Sequence, residues 1–196
     1  MLSFVLKVQF NEGHGGCFPV HYDNPARPNR RKLTMLAYLN AEWAEGDGGE
    51  LELFPFLERS VVISPTMNRL VLFESDLVLH RVRPARAPRF CFTVWLDGAA
   101  VNTAGDLRLD LRQLADDEAA LVAFLRRSPA QRLLSRGVYQ EEYEASLRDC
   151  MAGAPGFEEL QEAHDRHLAS VRAHPAMFAL TKKLRGVKSL EAPRRL

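Results

Sequence analysis

The stretch Arg89-Phe-Cys-Phe-Thr-Val-Trp-Leu96 decides the fold. Neighbouring residues of an extended strand point to opposite faces. Arg89, Cys91, Thr93 and Trp95 therefore share one face, and Phe90, Phe92, Val94 and Leu96 share the other. Working outward, similar short apolar or alternating runs, bounded by Gly, Pro and Asn, recur at 3–10, 17–22, 32–39, 50–54, 61–63, 69–74 and 80–84. In the run at 32–39, Thr34, Leu36 and Tyr38 alternate with Leu33, Met35, Ala37 and Leu39, which predicts burial on both faces. Eight short strands with no helical pattern between them predict a mainly β sandwich, jelly roll or small barrel over residues 1–100.

After Gly98 the period becomes helical, which predicts an α-helical extension over residues 101–196. Asp116-Asp117-Glu118 precedes Ala119-Ala-Leu-Val-Ala-Phe-Leu125 and places acids at a helix start. Ser128-Pro129 reads as an N-cap followed by proline at the first helical position. Further helices are expected over 138–151, 157–173 and 175–185, and the basic stretch from Lys182 to Arg195 as a solvated tail.

Composition narrows the function. Of the 196 residues, 46% are hydrophobic and 26% charged, which excludes disordered and fibrous classes. Lys and Arg number 26 against 25 Asp and Glu, so no bulk field favours nucleic acid or an anionic membrane. No apolar run approaches the roughly 18 residues of a membrane helix, and the start is too short and strand-like for a signal peptide. The expectation is a cytoplasmic or nuclear protein. Three cysteines, Cys17, Cys91 and Cys150, are odd in number and lack CxxC spacing, so neither a disulfide framework nor a zinc ribbon is expected. Cys17 and Cys91 read as small buried hydrophobes.

The residues that can do chemistry converge. His21 and Asp23 are two apart on an extended segment and share a face, giving one imidazole and one hard oxygen ligand. His80 opens a later strand and supplies a third ligand. Two histidines and one carboxylate leave open positions, the arrangement of non-haem Fe(II) oxygenases, whereas zinc favours a closed four-coordinate shell. Arg89 alternates inward with Cys91, Thr93 and Trp95, and a buried guanidinium requires an anion. A structural acid such as Glu50 or Glu52 is one candidate. The other is a planar carboxylate from outside, bound by the arginine fork with hydroxyls from Tyr38 and Thr93. A dicarboxylic acid anchored there, with a 2-oxo acid end reaching the metal, describes 2-oxoglutarate. Tyr38 could equally serve as plain core.

These motifs resemble the Fe(II)/2-oxoglutarate-dependent dioxygenases, within them the prolyl 4-hydroxylase superfamily, and most of all its hypoxia-inducible-factor prolyl hydroxylase branch. The resemblance runs from about Leu6 to Gly98. It is carried in order by His21-Tyr-Asp-Asn-Pro25, Leu33-Thr-Met-Leu-Ala-Tyr-Leu-Asn40 with Trp43, Gly48-Gly-Glu-Leu-Glu-Leu-Phe-Pro55, Asn68-Arg-Leu-Val-Leu-Phe73, Ser75-Asp76, His80-Arg-Val-Arg-Pro84 and Arg89-Phe-Cys-Phe-Thr-Val-Trp95. It implies a double-stranded β-helix (jelly roll). It implies His21, Asp23 and His80 as iron ligands, Arg89 as anchor of the distal carboxylate, Tyr38 and Thr93 as cosubstrate contacts, and Leu51 as an apolar pocket wall. It also implies Fe(II), 2-oxoglutarate and O2, ascorbate as reductant, a prolyl residue of a protein as substrate, and succinate and CO2 as coproducts; the alternatives are the same cofactors acting on a small molecule or another side chain, and a catalytically silent jelly-roll binding module. Collagen-type members carry lysine at the anchor, so Arg89 leans toward the intracellular branch. Two departures stand out. Phe10 or a neighbour occupies the position of a cosubstrate-contacting tyrosine, and the chain begins almost on the first strand, where the family has upstream helices.

Other residues receive plainer readings. Trp43 and Trp95 are expected in packing or in a channel lining. Gly46-Asp-Gly-Gly49 reads as a strand-connecting turn. His164 and His167 read as a surface pair on a helix, and His14 as part of a Gly-rich turn.

Overall fold

A computed structural model describes residues 3–24, 29–102 and 117–196. All eight expected strands form: β1 (Phe4–Asn11), β2 (Phe18–His21), β3 (Asn29–Tyr38), β4 (Leu51–Phe54), β5 (Val61–Ile63), β6 (Leu70–Glu74), β7 (Leu79–Val82) and β8 (Arg89–Asn102). They build two sheets, ordered β1-β8-β3-β6 and β2-β7-β4-β5-β9, where β9 is Arg194–Arg195. The helical period expected after Gly98 is overridden at first. β3 begins already at Asn29 and gives β8 a ladder partner as far as Asn102, across register shifts on either side of Arg31.

The basic tail is also not simply solvated. Arg194 and Arg195 pair in parallel with Val61 and Val62, and the Leu196 carbonyl accepts from Ser64 N at 3.1 Å and Arg69 Nη1 at 2.8 Å. An edge strand offers unpaired backbone groups to any extended segment. Burial on both faces of β3 is likewise corrected. Thr34, Leu36 and Tyr38 are buried, but Leu33, Met35 and Ala37 are only half-buried. They lie on the outer face of the first sheet, where Phe4, Val8, Leu70 and Leu72 are exposed.

The helices follow as α1 (Glu118–Arg126), a 3₁₀ turn (Pro129–Gln131), α2 (Arg132–Val138), α3 (Gln140–Met151), α4 (Phe157–Ala173) and α5 (Pro175–Val187). Asp117 caps α1, accepting from Ala120 N at 3.0 Å, and Ser128 caps the 3₁₀ turn. Asp116 lies outside the described residues. One apolar cluster fills the space between the sheets, with Leu36, Tyr38, Leu51, Ile63, Val71, Phe73, Val82 and Cys91. A second joins the outer face of the second sheet to the helices, packing Val20, Phe54, Phe56 and Leu79 against Leu125, Leu134, Tyr139 and Leu184.

α3 lies along β2. Val20 N donates to Ser146 Oγ at 3.0 Å, and Cys17 is disulfide-bonded to Cys150. This overturns the reading of Cys17 as a buried hydrophobe and the expectation drawn from the odd cysteine count; Cys91 alone is free and buried. Beside it, buried Glu52 accepts from Arg81 Nε at 2.8 Å and Arg83 Nε at 3.0 Å, and Arg81 Nη1 reaches Asp149 of α3 at 3.0 Å. Burial raises the Glu52 pKa, but the two guanidinium groups outweigh it and hold the carboxyl below its ordinary value. Among the described residues no helix is long and apolar enough to cross a membrane.

The disulfide joins residues 133 apart in sequence and thereby restricts the unfolded chain strongly. Cys150→Ser is expected to lower stability by about 2–4 kcal/mol. Denaturant melts of the wild type and variant, with and without dithiothreitol, check this: reductant should remove the difference.

Candidate metal centre and cosubstrate pocket

His21 ends β2 and pairs in antiparallel register with His80 of β7, so the imidazoles share one face with ring centres 4.3 Å apart. The same device orients both rings. Nδ1–H of His21 donates to the Pro19 carbonyl at 2.7 Å, and Nδ1–H of His80 donates to the Val78 carbonyl at 3.1 Å. That tautomer leaves each Nε2 with its lone pair facing inward. Asp23 follows directly, with Oδ1 3.4 Å from His21 Nε2 and Oδ2 3.6 Å from His80 Nε2. Thr34 Oγ1 donates to Asp23 Oδ2 at 2.8 Å, so its own lone pairs face Ser75 Oγ, also at 2.8 Å. The three ligand atoms lie within 4.8 Å of one another, and no other group of this kind occurs among the described residues.

Burial, reinforced by the neighbouring His21, lowers the His80 pKa to about 4 against the opposing pull of Asp23. Burial raises the pKa of Asp23, but the hydrogen bond and the positive charge that the imidazoles of His21 and His80 offer when protonated prevail, leaving it well below the usual carboxylate range. A neutral imidazole beside an ionised carboxylate is the protonation state that metal binding requires.

Arg89 opens β8 and is 4% exposed. Its Nε donates to the Gly49 carbonyl at 2.8 Å and its Nη1 to Cys91 Sγ at 3.2 Å, while Nη2 has no partner. The guanidinium sits 5.2 Å from the ring centre of Tyr38, whose buried hydroxyl is also unpartnered. Burial pushes the Tyr38 pKa up to about 12, so the phenol remains a donor. Glu52 is engaged by Arg81 and Arg83, and among the described residues no carboxylate, Glu50 included, forms an ion pair with Arg89. Thr93 and Leu51 are both buried and line the metal cavity, of about 60 Å³.

The turn holding Arg89 is set by two glycines. Gly48 and Gly49 have φ of 71° and 74°, a region costly for other residues. A Cβ on Gly48 would collide with the Pro84 carbonyl oxygen, and one on Gly49 would press within 2.8 Å of Arg89 Cδ. Trp43 Nε1 donates to the Gly48 carbonyl at 2.9 Å, so Trp43 packs this turn, while Trp95 lines the metal cavity.

Lys7, Gln9 and Phe18 were missed. Lys7 and Gln9 stand opposite Thr93 and Cys91 in the β1–β8 ladder and share their inward face. Gln9 Oε1 accepts from Thr93 Oγ1 at 3.1 Å and Cys91 Sγ at 3.4 Å. Phe10 instead stacks on Phe90 on the other face, at 4.7 Å, so its neighbour Gln9 is the inward polar residue of this stretch. The alternation of Lys7 and Gln9 with Leu6, Val8 and Phe10 was the available signal.

Other histidines play no part here. His164 is 1% exposed rather than on the surface; it stacks on Tyr143 and takes a hydrogen bond from Arg136 at 3.3 Å. His14 is exposed and 4.0 Å from Glu12.

A family model for the 2OG-Fe(II) oxygenase superfamily matches residues 6–97. A prolyl 4-hydroxylase from Phytophthora capsici is 50% identical over 96% of this chain and 63% of its own, with a TM-score of 0.84. A prolyl-4-hydroxylase from Pseudomonas putida is 30% identical over 48% of this chain and 52% of its own, with a TM-score of 0.46. A prolyl hydroxylase from Trichoplax adhaerens, solved with a peptide fragment of the hypoxia-inducible factor oxygen degradation domain, is 38% identical over 47% of this chain and 42% of its own, with a TM-score of 0.45. Residues 6–97 thus carry a 2OG-Fe(II) oxygenase superfamily domain, and over nearly its whole length the chain is similar to a prolyl 4-hydroxylase. It spans 63% of the length of the Phytophthora chain.

Two outcomes are expected. As pH falls, the unfolded chain protonates its His80 near the usual 6.5, but the folded chain resists until about 4. Metal-free protein should therefore lose about 3 kcal/mol over that window, measured by urea melts at pH 7 and 4, and His80→Leu should lose less. Gly48→Ala is expected to cost about 2 kcal/mol or more, from left-handed backbone strain together with the Pro84 collision, and a thermal melt checks it.

Proposed function

We propose that the chain is an Fe(II)- and 2-oxoglutarate-dependent dioxygenase that hydroxylates a prolyl residue of a protein or peptide, releasing succinate and CO2. The scaffold we assign is a double-stranded β-helix over residues 1–100, with residues 101–196 as a helical extension covering its second sheet. The observation that carries the reading is a pair of neighbouring, unpartnered buried donors, Arg89 Nη2 and Tyr38 Oη, with Arg89 lining a cavity that shares Lys7, Gln9 and Phe18 with the one lined by His21, Asp23 and His80.

Buried donors without acceptors cost stability unless a ligand meets them. The donor set fits the family's cosubstrate: a guanidinium and a phenol for one carboxylate, and two imidazoles with one carboxylate for a divalent metal. Bound there, iron and 2-oxoglutarate would supply the activation of O2 and the two-electron oxidation, with ascorbate as the reductant that keeps the iron ferrous. The chain's own residues do the rest. His21, Asp23 and His80 would hold the metal. Arg89 and Tyr38 fix the distal carboxylate, Thr93 donates to it after releasing Gln9, and Leu51 presents an apolar wall that excludes water. Thr34 keeps Asp23 ionised and oriented.

The test is an anaerobic titration of 2-oxoglutarate into Fe(II)-loaded protein, watching the visible metal-to-ligand charge-transfer band. The band should appear in the wild type and require at least about 100-fold more 2-oxoglutarate in Arg89→Ala, the scale for deleting one partner of a buried charge pair. No band from folded, iron-loaded protein would overturn the reading.

A further inference from the structure

Lys7, Gln9 and Phe18 line both the metal cavity and a larger cavity of about 560 Å³ beside Arg89, so they form the partition between the two. Gln9 is engaged by Thr93 and Cys91. Lys7 is not so engaged. We propose that Lys7 selects a substrate with a carboxylate beside the residue being oxidised, an acidic peptide rather than a neutral or basic one. This rests on the dioxygenase reading and names the substrate class of the same site.

Three observations place the ammonium group. Lys7 stands opposite Thr93, so its side chain leaves β1 on the cavity side, and β1 is an edge strand, so the group remains reachable by a macromolecule. Its Nζ lies 5.1 Å from the ring centre of Phe18 at the start of β2. It therefore reaches from the first sheet toward the second while remaining exposed. Among the described residues no carboxylate pairs with it; Glu12, which also lines the larger cavity, faces His14.

A charge count decides what the group is for. Asp23 offsets one of the two charges of a divalent metal. The remaining metal charge and Arg89 together match the two carboxylates of the cosubstrate. Lys7 is then left as an exposed cation at the cavity mouth, paired with no carboxylate among the described residues although Glu12 lines the same cavity. A substrate carboxylate is the group that completes neutrality, and a basic substrate would meet repulsion from Lys7 and Arg89 together.

The experiment uses the full chain loaded with Mn(II) and 2-oxoglutarate, which binds without turnover. Fluorescein-labelled peptides of one length, with a central proline flanked by Glu, Gln or Lys, are titrated by anisotropy into wild type, Lys7→Met and Lys7→Glu. The wild type should bind the Glu peptide at least about fivefold tighter than the Gln peptide. Lys7→Met should erase that difference, and Lys7→Glu should turn the preference toward the Lys peptide. Calorimetric 2-oxoglutarate affinity of Lys7→Met should stay within about twofold of wild type, since Lys7 is not assigned to the cosubstrate. The proposal is overturned if wild type binds no peptide or shows no charge preference, or if the preference survives in Lys7→Met. It is equally overturned if 2-oxoglutarate affinity collapses in that variant, which would assign Lys7 to the cosubstrate. Failure of 2-oxoglutarate to bind wild type sinks the dioxygenase reading instead, and peptide anisotropy on Mn(II)-loaded protein still reads the charge preference.

Discussion

The register that sets His21 opposite His80 is the constraint on which the metal centre depends. A slip of one residue would turn His21 to the other face of the sheet. Yet β2 has only four residues, lies at the edge of its sheet, and its pairing with β7 shifts between Phe18 and His21. Ladder bonds alone hold such a strand weakly. Its free side is held by the helices: Val20 to Ser146, Cys17 to Cys150, and the Tyr22 hydroxyl 2.6 Å from Ser135 Oγ. The helical region is therefore part of what positions two of the three ligands, and its shared core with the second sheet is the larger expression of that support.

The opposite end of the cavity depends on keeping carboxylates away. Leu51 and Glu52 are consecutive on β4, so one faces the space between the sheets and the other faces α3. Glu52 meets Arg81 and Arg83 on that outer side, and Arg81 continues to Asp149. The alternation of one strand thus segregates a satisfied charge network from an unsatisfied guanidinium. Gly48 and Gly49 complete the arrangement, because only residues without a side chain let the turn approach Pro84 and Arg89 so closely. Arg89 is left with donors that the protein itself does not use.

Much of this was legible in the sequence because strand alternation is local. All eight strands, the ligand trio and the buried arginine follow from period-two patterns and residue chemistry. What was not legible is non-local. Nothing in the spacing of Cys17 and Cys150 reveals that α3 comes to lie along β2, and an odd cysteine count pointed the other way. The extension of β8 to Asn102 depends on how early β3 begins, and β9 depends on an open sheet edge meeting the chain terminus. His164 was read as a surface residue because the packing of α2, α3 and α4 around it has no signature in its own helix.

β1 differs from every other strand of the cavity in contributing no fully buried residue. Its outward row, Phe4, Leu6, Val8 and Phe10, is exposed, and its inward row reaches the cavity from the rim. Exchanges at Lys7 or Gln9 consequently alter the lining of the cavity without opening a void in either apolar cluster, whereas an exchange at Leu36, Leu51 or Val82 would do both. Stability and the proposed selectivity are in this way carried by different strands. β8 and β3 fix the chemistry in a packed interior, and β1 supplies the side chains whose replacement costs the fold least.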